Sequence, residues 1–453
     1  MAQSIFVWWA AACLIHAFTI KILSEAGVEI VSSLIFNYHV LLAVSLVIGF
    51  PFVLSILKST KTSNVIENLL QGSYAKFKRL ATKGPTGIIS PEERAKIQYQ
   101  LFEELNQLMD LLVFVPHNEP KSQIIEGIGE LLRYYVKLKP KFPEDFYKID
   151  QQIHDDISFR TLKSLLAEVE KSHTFYEQKS FRMIGDVYNV FLDKGEFDLS
   201  TLCVEQLSQV GKTAIECDDQ ELIEVITVRL NTYFRFALKH GQHSNEPRNL
   251  YNLVFHYGQF LSYLVEHRQV DRVKTCIGYF VFYGQQCFNA IPRARSLAII
   301  LDILASEMQK LMQIIYQNNW ERKLQQELLQ KFLLFDNFQD IDKEIAIQFF
   351  SQNHGIRLLH IGLALFYLNQ NEKEFAETIA KDTLQDLLLL GEPLFSKTMD
   401  TIFARLQYSG AKFWEDTDRG NVNIYYTPYQ FEIEYFRKLQ VKFKLESQKK
   451  IPA

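Results

Sequence analysis

Glycine and proline are scarce in this chain, 19 and 12 among 453 residues. Turns need residues that tolerate positive φ or fix φ, so this scarcity excludes a fold of many short strands and favours long helices. Cysteine is scarce too. The five residues, at positions 13, 203, 217, 276 and 287, form no CxxC pair and no metal-like spacing. That excludes a disulfide framework and suits a reducing compartment. Net charge is nearly absent, at −4, so no whole-protein field draws the chain to nucleic acid. No Gly-x-Ser-x-Gly elbow and no His-Glu-x-x-His motif occurs, and no cofactor is indicated.

What is present is the composition of a folded protein, with 47% apolar and 23% charged residues and 35 Phe and 21 Tyr spread along the chain. The length allows one large domain or two to three ordinary ones.

Long apolar runs are confined to the N-terminus, at Ile5 to Leu23 and Leu34 to Leu57. Roughly 20 apolar residues span a hydrocarbon core, so the two runs predict a two-helix transmembrane hairpin over residues 1–57. A cleavable signal peptide is excluded by the lack of a basic n-region and by the longer apolar run that follows. Trp8 and Trp9 suit the headgroup region, and Lys21 can snorkel outward.

Positive charge then clusters after the second run, at Lys58, Lys61, Lys76, Lys78, Arg79 and Lys83. By the positive-inside rule both termini are expected in the cytoplasm, with a bacterial inner membrane as the expected location. Residues 58–87 read as a basic stalk attracted to anionic lipid. Polar groups within the hairpin are costly and tend to pair. His16 and His39 are expected at matched depth, with Asn37 slightly shallower. Ser45 and Gly49 form a small-xxx-small pair, and Pro51 predicts a bend. These features lead to an expectation of hairpins that associate into a homo-oligomer and form or gate a pore.

The remainder, 88–410, reads as an all-α cytoplasmic domain. Ser90-Pro91-Glu92-Glu93 is a capping box with proline at the first helical position. Leu101, Leu105, Leu108, Leu111 and Leu112 recur at threes and fours, and similar stretches follow up to Phe375–Leu390. Polar connectors such as His240-Gly241-Gln242-His243-Ser244 separate them. An α-solenoid and an irregular bundle both satisfy the pattern. Neither a fixed period nor a tetratricopeptide or ankyrin signature is visible. At the C-terminus, 411–453, Asp416 to Asn421 is turn-forming and Leu439 to Leu445 alternates strictly, predicting a small β element before a basic tail.

Several short motifs carry candidate chemistry. Gly211-Lys212-Thr213 matches the end of a phosphate-binding loop, but Gln206 stands where that loop needs glycine. His240 and His243 offer two imidazoles to zinc, with His256 or His267 as a third. His154-Asp155-Asp156 suggests a metal-dependent hydrolase in miniature. Arg235-Phe-Ala-Leu-Lys-His240 matches Arg-x4-His and resembles the short motif of the HEPN ribonucleases. That resemblance implies an α-helical bundle that dimerises, with arginine and histidine of both subunits cleaving RNA. It covers six residues, and Phe236 stands where the family usually has a polar residue. The leading expectation is a membrane-anchored binding or signalling protein with an unidentified protein partner, and a membrane-tethered HEPN-like ribonuclease using Arg235 and His240 is the alternative.

Overall fold

A computed structural model describes residues 2–27, 32, 35–40, 42–44, 61–154, 166–336, 343–412 and 423–449. The chain divides into two compact units, Met1–Ser73 and Tyr74–Ala453.

In the first unit α1 spans Ala2–Glu25. The expected transmembrane hairpin is corrected here. No helix among the described residues is long and apolar enough to cross a membrane. His16, Thr19 and Lys21 interrupt the apolar run of α1, and Lys21 faces Glu25 at 4.0 Å on its last turn. Most of the second expected span, 34–57, lies outside the described residues. The pore, the two-pass orientation and the bacterial inner-membrane location rested on that hairpin and fall with it.

Helix α2, Thr62–Lys83, runs from the first unit into the second. The expected stalk is thus largely helical, with Phe77 and Leu80 fully buried. Gly84, at φ 74, ends it, because only glycine adopts that backbone without strain. Next come α3 (Pro91–Phe114) and α4 (Asn118–Leu138). Ser90 caps α3 by accepting from the Glu93 amide at 3.2 Å. The Glu93 side chain does not close the box; it takes Arg79 at 2.8 Å and Lys83 at 2.6 Å instead.

The helices that follow are α5 (Phe175–Lys194), α6 (Phe197–Glu216), α7 (Gln220–Ser244), α8 (Arg248–Glu266) and α9 (Val270–Ala290). After them come α10 (Leu297–Gln317), α11 (Arg322–Leu333), α12 (Lys343–Gln352), α13 (Gly355–Asn369) and α14 (Lys373–Thr383). The last are α15 (Gln385–Leu390), α16 (Glu392–Tyr408) and α17 (Ile433–Lys449).

These helices form two layers. In one, α4, α6, α8, α10 and α13 pack in succession; in the other, α3, α5, α7, α9, α11 and α14 do. Tight turns join the layers, each with a non-glycine residue at positive φ: Asp218, Arg268, Asn319 and Asn371. These turns recur about every 50 residues, the signature of a helical-hairpin repeat. Hydrogen bonds between neighbouring hairpins repeat the interval. Arg229 to Gln178 spans 51 residues, Arg272 to Glu224 48, Lys274 to Glu327 53 and Arg322 to Glu372 50. A helical-repeat solenoid therefore describes the second unit.

Two further expectations change. His240 to Ser244 is no connector but the last turn of α7, which ends at Asn245 with φ 54. The expected C-terminal strand is part of α17. Leu439 and Phe443, four apart, are buried, whereas Val441 and Leu445, the other two members of the alternation, are exposed. The helical period decides which side chains meet the core, and the alternation is coincidental. No strand occurs among the described residues.

Candidate functional site

Polar and ionisable groups gather at three places in the second unit. The first is at the turn joining α6 to α7. Asp219 caps α7 through one carboxylate oxygen, accepting from the Leu222 amide at 3.1 Å. Its other oxygen accepts from Lys139 Nζ at 2.7 Å, and Lys139 also donates to Glu177 Oε1 at 2.9 Å. Lys139 follows α4, so one ammonium ties α4, α5 and α7 together. Burial alone would lower the Lys139 pKa, but the Glu177 and Asp219 carboxylates outweigh it and hold it above its usual value. Burial pushes the fully buried Glu177 up.

A cleft of about 400 Å³ opens beside this cluster, lined among others by Lys139, Glu144, Tyr147, His173 and Cys217. His173 sits at φ 54 and stacks flat on Tyr147, with ring centroids 3.9 Å apart. Its Nε2 lies 3.8 Å from Glu144 Oε1, and burial lowers its pKa. The Cys217 thiol is pushed up by burial and by Glu216. Nucleophilic catalysis needs a thiolate or an amine freed of its proton. Here burial and Glu216 favour the protonated Cys217 thiol, and the Lys139 ammonium ties its two carboxylates together.

The second place is wholly buried. Arg357 on α13 donates a fork to Asp386 at 2.7 and 2.7 Å and a third bond to Asp382 at 2.6 Å. The same guanidinium lies 3.1 Å from His360 Nδ1. A guanidinium only donates, so Nδ1 accepts and the imidazole proton sits on Nε2. Burial, with Arg357 adding to it, holds His360 neutral. The sequence signal for this cluster is local: Arg357 with His360 at i,i+3, and Asp382 with Asp386 at i,i+4.

The third place is the outer side of α9. Tyr279 and Phe282 of α9 are 36% and 51% exposed, and Val228 of α7, 53% exposed, lines a shallow cleft with Val169 and Gln178 on the α5 side. The helices run parallel: Arg272 reaches Glu224 at 2.9 Å, and farther along both, Tyr283 Oη donates to the Asn231 carbonyl at 3.0 Å.

The residues singled out from sequence fall as follows. Arg235 is exposed on α7 over the Phe236 ring, at 5.5 Å. His240 lies 140° around the helix, beside Phe197 at 6.0 Å and Ser244 at 3.3 Å. The motif's two members thus meet different neighbours within this chain. Among the described residues no three of His, Cys, Asp and Glu converge to hold a metal ion. His243 bonds the Lys239 carbonyl and His267 the Tyr263 carbonyl. His154 ends a short helix, and residues 155 and 156 lie outside the described ones.

Gly211 belongs to α6, where a Cβ would stand 2.6 Å from the Phe260 ring; close packing with α8 explains it. Gln206 rests against Gly129 and accepts from Arg133 at 2.8 Å.

In the first unit His16 Nε2 is buried without a hydrogen-bond partner among the described residues, and His39 Nδ1 bonds the Ile35 carbonyl at 2.8 Å. Asn37 is exposed, and Trp8 and Trp9 stand on α1. Ser45, Gly49, Pro51 and Lys58 lie outside the described residues. Lys61 precedes α2, Lys76 pairs with Glu104, and Lys78 is exposed.

No protein-family model matches the chain, and no curated protein is similar to it. Among solved structures it is similar to a circular tandem repeat protein with novel repeat topology and enhanced subunit contact surfaces. The two are 14% identical over 99% of each chain, with a TM-score of 0.41, below the level at which a shared fold follows.

Proposed function

We propose that this chain works by binding another protein through its stacked helical hairpins. The observation that supports the reading is the outer side of α9, where Tyr279 and Phe282 stand in solvent on a helix that runs parallel to α7. Exposed aromatic side chains on a fixed scaffold contribute most of the energy at protein interfaces, and clustered exposed apolar groups mark such sites. The ionic clusters at Lys139 and Arg357 hold neighbouring helices of the stack together.

A photocrosslinking residue placed at position 279 or 282 of the full chain tests the reading in lysate of the source cells. A discrete protein adduct at these positions, and none at Asp193 or Lys323, is the expected result. Equal labelling at all four positions, or none at any, overturns it.

A further inference from the structure

We propose that the cleft beside Lys139 receives a guanidinium group, carried by a free arginine-like molecule or by an arginine of a partner chain. The inference does not depend on the outer side of α9. Charge, surface and the repeat each bear on it.

The cleft's volume, about 400 Å³, is that of a ligand pocket. Two consecutive hairpin turns border it, one at His173 and the next at Asp218, both with φ 54. Its rim is acidic. Glu144, Asp218 and Glu221 line it and are exposed. Among the described residues none of them pairs with a lysine or arginine: Glu144 faces the His173 imidazole, and Asp218 takes the Gln220 amide at 2.6 Å. Of the lining cations, Lys139 is already held by Glu177 and Asp219, and Lys171 stands exposed. Unpaired carboxylates thus outnumber unpaired cations at the rim, which attracts a cation and repels a phosphate or carboxylate.

The surface selects among cations. Pro85, Pro140 and Phe142 give the cleft apolar walls. Tyr147 covers one face of the His173 ring, parallel to within 4° at 3.9 Å, so the imidazole offers the cleft its other face or its edge. A guanidinium is planar and weakly hydrated. It stacks on rings while its N–H fork reaches carboxylates, which a compact, strongly hydrated ammonium does less well.

The repeat supplies a precedent inside the chain. Arg268 and His173 hold the same turn position: each has positive φ, and the next amide bonds back five residues, Gln269 to Leu264 and Thr174 to Val169. Arg268 Nη2 donates to the Asn318 carbonyl at 3.0 Å, so a guanidinium links that turn to its neighbour. His173 stacks on Tyr147, and between its turn and that of Asp218 the cleft stays open. A guanidinium entering there makes the same kind of link from outside.

Isothermal titration calorimetry with the full chain tests the inference. The ligands are arginine amide, a glycine pentapeptide with arginine at its centre, and that peptide with lysine or with citrulline, the uncharged isostere. Both arginine ligands are expected to bind, more weakly as salt is raised. The lysine peptide is expected to bind more weakly than its arginine counterpart, and the citrulline peptide not at all. Tighter binding of the arginine peptide than of arginine amide assigns the group to a partner chain, and the reverse order to a free molecule. Glu144→Gln combined with Asp218→Asn is expected to weaken binding by about tenfold. His173→Asn is expected to weaken it by about two- to fivefold. Asparagine tolerates the left-handed backbone at both turns, and a single cooperative melt checks that each variant is folded.

Citrulline binding as tight as arginine overturns the inference, as does lysine binding as tight or tighter. So does no binding of either arginine ligand, or wild-type affinity in both folded variants. The comparison of arginine with citrulline uses the unaltered chain, so it decides the matter even where a variant fails to fold.

Discussion

Lys139 and Arg357 do the same task at two places in the solenoid, each a cation between two carboxylates, yet they do it differently. Lys139 is a point charge beside an open cleft, and its partners Glu177 and Asp219 lie 38 and 80 residues away in sequence. Arg357 is a planar fork in a closed interior, with partners 29 and 25 residues away. An ammonium reaches wherever carboxylates converge, which suits a tie across three helices. A guanidinium imposes direction, which suits locking α13 against α14 and α15. The difference teaches that the environment sets what each ion pair is worth, because a buried charge stripped of its partner has no water to replace it.

Four experiments break or sharpen that comparison. Arg357→Met strands two buried carboxylates and is expected to destabilise the fold by about 3–5 kcal/mol in denaturant unfolding. A loss under about 1 kcal/mol there would mean that water reaches the interior and that the contrast is false.

Asp302 shows burial without a direct ion pair among the described residues, and its carboxylate accepts a hydrogen bond from the Tyr425 hydroxyl at 2.7 Å. Burial raises its pKa from 3.8 to about 6. The folded chain therefore holds this proton more tightly than the unfolded chain does. The group's contribution to stability is full below about pH 4, falls as pH rises to about 6, and is constant above. The span is worth up to about 3 kcal/mol. Asp302→Asn is expected to flatten this slope in melts taken from pH 4 to 7, and an unchanged slope would place the proton elsewhere.

Lys139→Met removes the point charge beside the cleft, where water can enter, and is expected to destabilise by about 2 kcal/mol, less than Arg357→Met. The reverse order of the two losses would break the comparison. The smallest effect is expected from Asp219→Asn. Its side-chain oxygen still caps α7 and Lys139 keeps Glu177, so the loss should stay near or below about 1 kcal/mol in the same assay.

Much of the helical architecture could be read in the residues, and its period could have been. Scarce glycine and the threes and fours of Leu101, Leu105 and Leu108 lead directly to helices. The repeat was hidden because its mark is conformational: Asp218, Arg268, Asn319 and Asn371 share a positive φ, not a residue type. Spacing between Asp/Asn-containing polar breaks was the signal available, and it is weak beside a repeated motif. The candidate sites were harder still. The carboxylates of Lys139 are assembled from distant segments, and no local pattern announces them. At the N-terminus a local apolar run misleads in the opposite direction: its length suggests a span, but His16, Thr19 and Lys21 interrupt it.

By itself, then, the sequence determined that the chain is helical and where α3 begins, because propensity and capping act within a few residues. Only the tertiary structure decided that Leu439 to Leu445 is helix, that Gly211 is a packing residue and that Lys139 is a tie between helices. Each depends on which distant surface a side chain meets, and burial against that surface outweighs local preference.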